Sequence, residues 1–150
     1  MEYIPKIIHQ TWKSKTIPSN LRSFTDSWKI LNPTYEYKLW TDDDIKWFVI
    51  GHFPNLYSKF ESLPKFIIKL DVFRYMLLYV YGGYYIDIDV KCIKKLPEFT
   101  DYNLIMTEEH PDHAKHHNCE QIITNWFLGS SPKNKIIFTL INKSINGTDD

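Results

Sequence analysis

Between residues 65 and 81 the apolar positions follow a helical period: Phe66, Leu70, Phe73, Leu77 and Tyr81 form one stripe. Ile67, Asp71, Arg74 and Leu78 form a second stripe beside it, and only Lys65 and Lys69 offer a polar side. A helix apolar on most of its surface is a buried one, so Asp71 and Arg74 are expected to be shielded from water. Gly82 is placed to stop this helix in a left-handed conformation. An earlier helix is predicted over 19–31, with Ser19 as its cap, Leu21, Phe24, Trp28 and Leu31 on one face, and Asn32-Pro33 as its break. Thr41 followed by Asp44 resembles a capping box that opens a short helix. A last helix is expected over 132–143.

The remaining pattern reads as strands. Residues 4–10 carry β-branched side chains after a proline, and 35–40 alternate. Further strands are expected from Gly83 through about residue 90 and over 104–106. Residues 122–128 are apolar, and a polar loop is expected over 108–120. Strands alternating with helices argue for an α/β sheet flanked by helices.

Candidate chemistry concentrates in Gly82-Gly83-Tyr84-Tyr85-Ile86-Asp87-Ile88-Asp89. Asp87 and Asp89 are two apart at the end of an aromatic strand, so their oxygens can converge on one cation where the chain turns. Oxygen ligands suit Mg²⁺ or Mn²⁺, which binds one or two carboxylates together with substrate phosphates. A bare Asp-x-Asp also occurs in solvated turns. Asp71 and Arg74, at i and i+3, share a helix face as an ion pair or as ligand contacts. Tyr84 and Tyr85 fall on opposite strand faces, and Tyr84 is the candidate for the ligand side. Trp12, directly after the first strand, fits either a core position or a stacking platform.

Bulk composition narrows the classes. The 150 residues suit one domain (1–150), and 43% hydrophobic residues suffice for a core. With Lys+Arg 18 against Asp+Glu 18, no global field attracts nucleic acid or anionic membrane. The first ten residues are too polar for a secretory leader, and no apolar run reaches the roughly 20 residues of a membrane span. The expectation is a cytoplasmic protein, membrane-associated only through partners. Cys92 and Cys119 lack framework spacing and are expected as reduced thiols.

The run Lys69-x-Asp71-x-x-Arg74-x-x-x-Leu78-Tyr79-x-x-Gly82-Gly83-x-Tyr85-x-Asp87-x-Asp89 resembles the signature of the sugar-binding, DXD-containing glycosyltransferases. That family includes initiation-specific α-1,6-mannosyltransferases and bacterial capsule enzymes. It is more distantly similar to the glucosylating clostridial toxins. Ile4-Pro5-Lys6-Ile7-Ile8-His9-Gln10-Thr11-Trp12 looks like the family's opening strand. The resemblance implies a GT-A fold, Rossmann-like with a mostly parallel sheet, a nucleotide-sugar donor (GDP-mannose or a UDP-hexose), a glycan or protein acceptor, Mn²⁺ or Mg²⁺, and retention at the anomeric carbon.

Carried over by position, Asp89 is the metal ligand, and Asp87 completes the metal shell while contacting ribose or sugar. Asp71 and Arg74 bind sugar hydroxyls, Trp12 stacks on the base, and Asn125 lies near the donor sugar. Family members usually continue past the position of Asp150 with a segment that closes the donor site, so the domain is expected to be short at its C-terminus.

Other readings use the same residues. A catalytically silent donor-binding remnant keeps the site without the reaction. A metal-dependent phosphohydrolase would use Asp87 and Asp89 with further ligands. His110, His113, His116, His117 and Cys119 are zinc-ligand types, but their spacing matches no closed four-ligand pattern.

Overall fold

The computed structural model describes residues 3–117 and 120–147. Its elements run β1 (Ile7–Thr11), α1 (Ser19–Leu31), β2 (Glu36–Trp40), α2 (Asp42–His52), a 3₁₀ turn (Pro54–Leu56), α3 (Tyr57–Glu61), α4 (Phe66–Tyr81), β3 (Gly83–Ile86), β4 (Leu104–Glu108), α5 (Pro111–His116), β5 (Ile123–Ser130) and α6 (Lys135–Asn146). The strands form one sheet in the order β2-β1-β3-β5-β4. The pairs β1/β2 and β1/β3 are parallel, whereas β5 is antiparallel to both of its neighbours. The sheet is therefore mixed, with a parallel half at β2-β1-β3, and β5 alone points the other way.

Each face of this sheet carries its own apolar layer. On one face, Phe48 and Val49 of α2, Phe73, Met76 and Leu77 of α4, and Ile137 and Ile141 of α6 close over Tyr85 and Leu128. On the other, Trp28 of α1 packs with Ile4, Ile8, Tyr84, Ile86 and Phe127. Tyr84 and Tyr85 thus go to opposite layers, as successive strand residues must. Chain order explains the cleft. From β1 the chain passes through α1 to β2 on one side, then returns through α2, α3 and α4 to β3 on the other. Ligands of open α/β sheets bind at the carboxyl ends of strands at such a reversal.

Several local expectations shift for identifiable reasons. Thr41 accepts from the Asp44 amide while Asp44 Oδ2 accepts from the Thr41 amide, so the capping box is formed. Ser19 is instead the first helical residue of α1, behind Pro18 and without a side-chain cap. Gly82 has φ +65° and ψ −164°, a positive-φ conformation other than the left-handed helical one. A Cβ there would lie 2.8 Å from the Cδ atoms of both Pro5 and Pro132.

The first turn of α4 is also exposed, with Phe66 and Ile67 at 48% and 58%, so the buried stripe begins deeper in the helix. Strand β3 ends at Ile86, because the Val90 amide bonds to the Asp87 carbonyl in a turn. The polar segment over 108–120 contains α5, whose first helical residue is Pro111. Helix α6 starts at Lys135, where the Asn134 side chain accepts from the Ile136 amide. Among the described residues no helix is long and apolar enough to cross a membrane.

Candidate active site

Helix α4 and β3 form a hairpin with a single linking residue, Gly82. Asp71 lies eleven helical residues before Gly82 and Asp87 five extended residues after it. Both stretches rise about 16 Å, at 1.5 and 3.3 Å per residue, so the two carboxylates reach the same height. Arg74, one turn lower on α4, then lies between them. Its guanidinium contacts Asp71 Oδ1 at 3.0 Å and Asp87 Oδ1 at 3.4 Å, donates to the Asn125 carbonyl at 2.6 Å, and sits 4.6 Å from the Tyr85 ring centroid. Asn125 Nδ2 donates to Asp71 Oδ1 at 3.0 Å.

The turn over Asp87 to Val90 is held from three elements. The Asp87 amide donates to the Trp126 carbonyl of β5 at 2.9 Å. Gln10 of β1 donates through Nε2 to the Asp87 carbonyl at 3.1 Å, and Tyr37 of β2 donates to Gln10 Oε1 at 2.8 Å. Trp28 of α1 donates through Nε1 to the Val90 carbonyl at 2.7 Å. Within this frame Asp89 is exposed, and its carboxylate has no hydrogen-bond or ion-pair partner among the described residues.

Burial holds the Asp87 carboxyl above the usual carboxylate range, and neighbouring Asp89 and Asp71 add to the effect. Arg74 and a hydrogen bond with Tyr85 oppose it without winning, since the guanidinium is shared with Asp71 and Asn125. Desolvation of the Tyr85 phenol pushes it up to about 12.

The turn opens onto a cavity of about 470 Å³ at the carboxyl ends of β2, β1 and β3. Asp87, Ile88, Asp89, Tyr85 and Arg74 form one side; Trp12, Lys13 and Asp42 come from the segments that follow β1 and β2; Leu21, Phe66, Ile67 and Leu70 make its apolar wall. The Trp12 ring nitrogen and Arg74 Nε are buried without a hydrogen-bond partner among the described residues.

A profile described as the glycosyltransferase sugar-binding region containing the DXD motif matches residues 18–127. The chain belongs to this family of DXD-containing glycosyltransferases. Among its relatives, inositol phosphoceramide mannosyltransferase 3 of Schizosaccharomyces pombe is 43% identical over 99 residues, covering 66% of this chain and 28% of the relative. Mannosyl phosphorylinositol ceramide synthase SUR1 of Saccharomyces cerevisiae is 36% identical, covering 73% and 29%. The initiation-specific α-1,6-mannosyltransferase of the same yeast is 34% identical, covering 67% and 22%. The chain thus spans under a third of the length of these three relatives. Among solved structures, the PaToxG glycosyltransferase superposes with a TM-score of 0.61 at 22% identity, over 99% of this chain and 64% of that one. That likeness is one of fold, consistent with GT-A.

Set against the family signature, the structure gathers Asp71, Arg74, Asp87 and Asn125 into one hydrogen-bonded group and puts Trp12 and Asp89 in the same cavity. Tyr84 is not there. It is 2% exposed on the opposite sheet face and borders a separate cavity with Tyr35 and Phe99, so the tyrosine that lines the cavity of Asp87 and Asp89 is Tyr85. Sequence reasoning also missed Gln10, Tyr37 and Trp28, whose partners on the turn are distant in the chain. Gln10, a long polar side chain in a strand opened by Ile7 and Ile8, was the available signal.

The donor set fits a hard divalent cation: two carboxylate side chains, one of them free, beside excess negative charge that a single guanidinium does not balance. Among the described residues no three His, Cys, Asp or Glu side chains group as a metal cluster, so further ligands would be phosphate oxygens and water. The histidine-rich segment forms no such group either. His110 and His113 lie near Asp112 and Glu109 at 3.5 and 3.7 Å on an exposed surface, and Cys119 is outside the described residues. Cys92 is a free buried thiol that bonds to the Lys94 carbonyl.

Proposed function

We propose that this chain carries the donor site of a metal-dependent, retaining hexosyltransferase that takes its sugar from a nucleotide-sugar, GDP-mannose in preference to a UDP-hexose. The observation that carries this reading is the anchored turn: an Asp89 without a partner among the described residues beside a half-buried Asp87, opening onto a cavity of about 470 Å³. Mannose is favoured because the relatives named above are mannosyltransferases. Two of them are named for inositol phosphoceramide or its mannosylated product, which makes the inositol headgroup of a sphingolipid the first acceptor to test, ahead of glycan or protein acceptors.

In this reading Asp89 and Asp87 hold Mn²⁺ or Mg²⁺, which supplies Lewis-acid stabilisation of the leaving diphosphate. The protein's own contributions follow from the geometry. Trp12 stacks on the base across the apolar wall. Asp71, Arg74 and Asn125 are locked to one another and orient the sugar hydroxyls. Fixed groups of this kind need no rearrangement as charge develops, which is the main source of electrostatic catalysis. Retention with front-face attack lets a leaving-group oxygen take the acceptor proton, so no protein general base is assigned.

Nucleotide sugars incubated with Mn²⁺ and an inositol phosphoceramide acceptor, followed by mass spectrometry, test the reaction. Sugar transfer supports it; free sugar and nucleotide without transfer would support a hydrolase instead, and no turnover with intact donor binding would leave a silent remnant. Asp89→Ala should abolish Mn²⁺-dependent binding of GDP in calorimetry and leave the fold unchanged, since that side chain is exposed and makes no hydrogen bond or ion pair among the described residues. Unchanged binding would sink the metal-clamp assignment.

A further inference from the structure

A second cavity, of about 690 Å³, lies at the other end of the sheet from the acidic turn. Lys6, just before β1, and Tyr35, just before β2, meet Tyr84 of β3 and the segment 98–101 around it. Pro5 borders this cavity and Trp12 the donor cavity, seven residues or about 20 Å of extended chain apart. The two cavities share no lining residue.

The segment that closes the second cavity is pinned on both sides. Before it, the Leu96 amide donates to Asn32 Oδ1 at 2.9 Å. After it, the Asn103 carbonyl accepts from the Ser131 amide at 2.8 Å and from Asn134 Nδ2 at 3.1 Å. Between these anchors Phe99 lies against Tyr84, ring centroids 6.4 Å apart, and Glu98 bridges to Lys6 at 3.0 Å. The Tyr35 ring packs on Tyr84 at 5.9 Å. Tyr3, 67% exposed, adds a ring at the rim.

We propose that this cavity is a second ligand site, apart from the donor cavity, for one or two rings of a neutral saccharide. Its two kinds of surface set the class. The rings of Tyr3, Tyr35 and Phe99 offer flat apolar faces, which suit the C–H faces of a sugar ring. The Glu98 and Asp101 carboxylates accept and the Lys6 ammonium donates, and a sugar hydroxyl, which does both, can meet either. Charge disfavours a phosphate-bearing ligand. Glu98 neutralises Lys6, and Asp101 leaves the lining with one negative charge in surplus. Lys94 and Lys95 line a separate hollow beyond Glu98. The volume falls within the range of small-molecule sites. Such a site holds a glycan while the donor cavity stays free, and it stands whether or not the donor-site reading does.

Saturation-transfer NMR of the full chain with mannotriose and maltotriose tests this. At least one trisaccharide should give transfer, strongest at its ring C–H protons, with a Kd of about 1 mM. Mannotriose 6-phosphate should bind about tenfold more weakly than mannotriose. Addition of GDP with Mn²⁺, or the Asp89→Ala change, should leave the saccharide signal intact. Tyr3→Ala should weaken binding about fivefold and Asp101→Asn about threefold; both side chains are exposed, so the fold is kept. No transfer from either trisaccharide, loss of the signal on adding GDP with Mn²⁺, or unaltered binding by Tyr3→Ala overturns the proposal. So does a phosphorylated trisaccharide that binds as well as the neutral one, a comparison that changes no residue. Concentration-dependent sedimentation abolished by Tyr3→Ala would overturn it too, by giving the cavity to a second copy of the chain.

Discussion

His9 is fully buried, accepts from Trp40 Nε1 at its Nδ1 and donates through Nε2 to the Gly82 carbonyl at 2.9 Å. That arrangement needs the neutral ring. Desolvation, aided by Lys38 and only partly offset by the Gly82 bond, lowers its pKa from 6.5 to about 4. Between those values the unfolded chain takes up a proton that the folded chain refuses. Stability should therefore be flat above about pH 6.5, fall by roughly 3 kcal/mol as pH drops toward 4, and level off below. Urea midpoints followed by circular dichroism across that range check this, and His9→Gln should remove that part of the slope. Arg74 makes a second residue-level prediction. Arg74→Ala should weaken GDP-mannose binding in calorimetry more than binding of GDP alone, as the proposed role of the guanidinium at the sugar end requires. It should also cost about 2 kcal/mol of stability by leaving Asp71 and Asp87 facing each other.

At the scale of elements, the α4–β3 hairpin was the most legible part of the chain. Its stripes said that Asp71 and Arg74 were shielded, which holds for Arg74 at 4% side-chain exposure and fails for Asp71 at 38%, because Asp71 lies nearer the uncovered first turn of α4; its glycines marked the reversal that sets both beside Asp87. Period alone could not say which of Tyr84 and Tyr85 lines the cavity, since that depends on which layer α4 covers. Nor could it show the hold of Gln10 and Trp28 on the turn, made across 77 and 62 positions of chain. The exposed Phe66 and Ile67 illustrate the same limit: a stripe gives a face, while its neighbours decide whether that face is covered. Gly82→Ala tests the hairpin directly. The positive φ and the two prolines against the missing Cβ should cost about 2–4 kcal/mol, read as a lower urea midpoint. Ala in place of Gly51, with nothing within 4 Å and an ordinary φ, should be neutral or slightly stabilising.

For the molecule as a whole, strand order places the cavity where the connections diverge, and that order was not readable from the pattern of strands. The alternation of elements indicated an α/β sheet but not the reversal of β5. Ligand linkage offers a global check on the donor site. GDP with Mn²⁺ at a hundredfold excess over its Kd should raise unfolding stability by about 2.7 kcal/mol in a urea titration, and Asp89→Ala should abolish the increment.

The Asp87 peptide is engaged at both ends, its N–H on β5 and its C=O on the Gln10 amide and the Val90 amide. A cation held here as proposed would meet a turn whose main chain is already anchored at Asp87 and Val90, so little ordering entropy would oppose its capture. Deuterium uptake at the Val90 amide should accordingly be as slow in the empty protein as in one saturated with nucleotide.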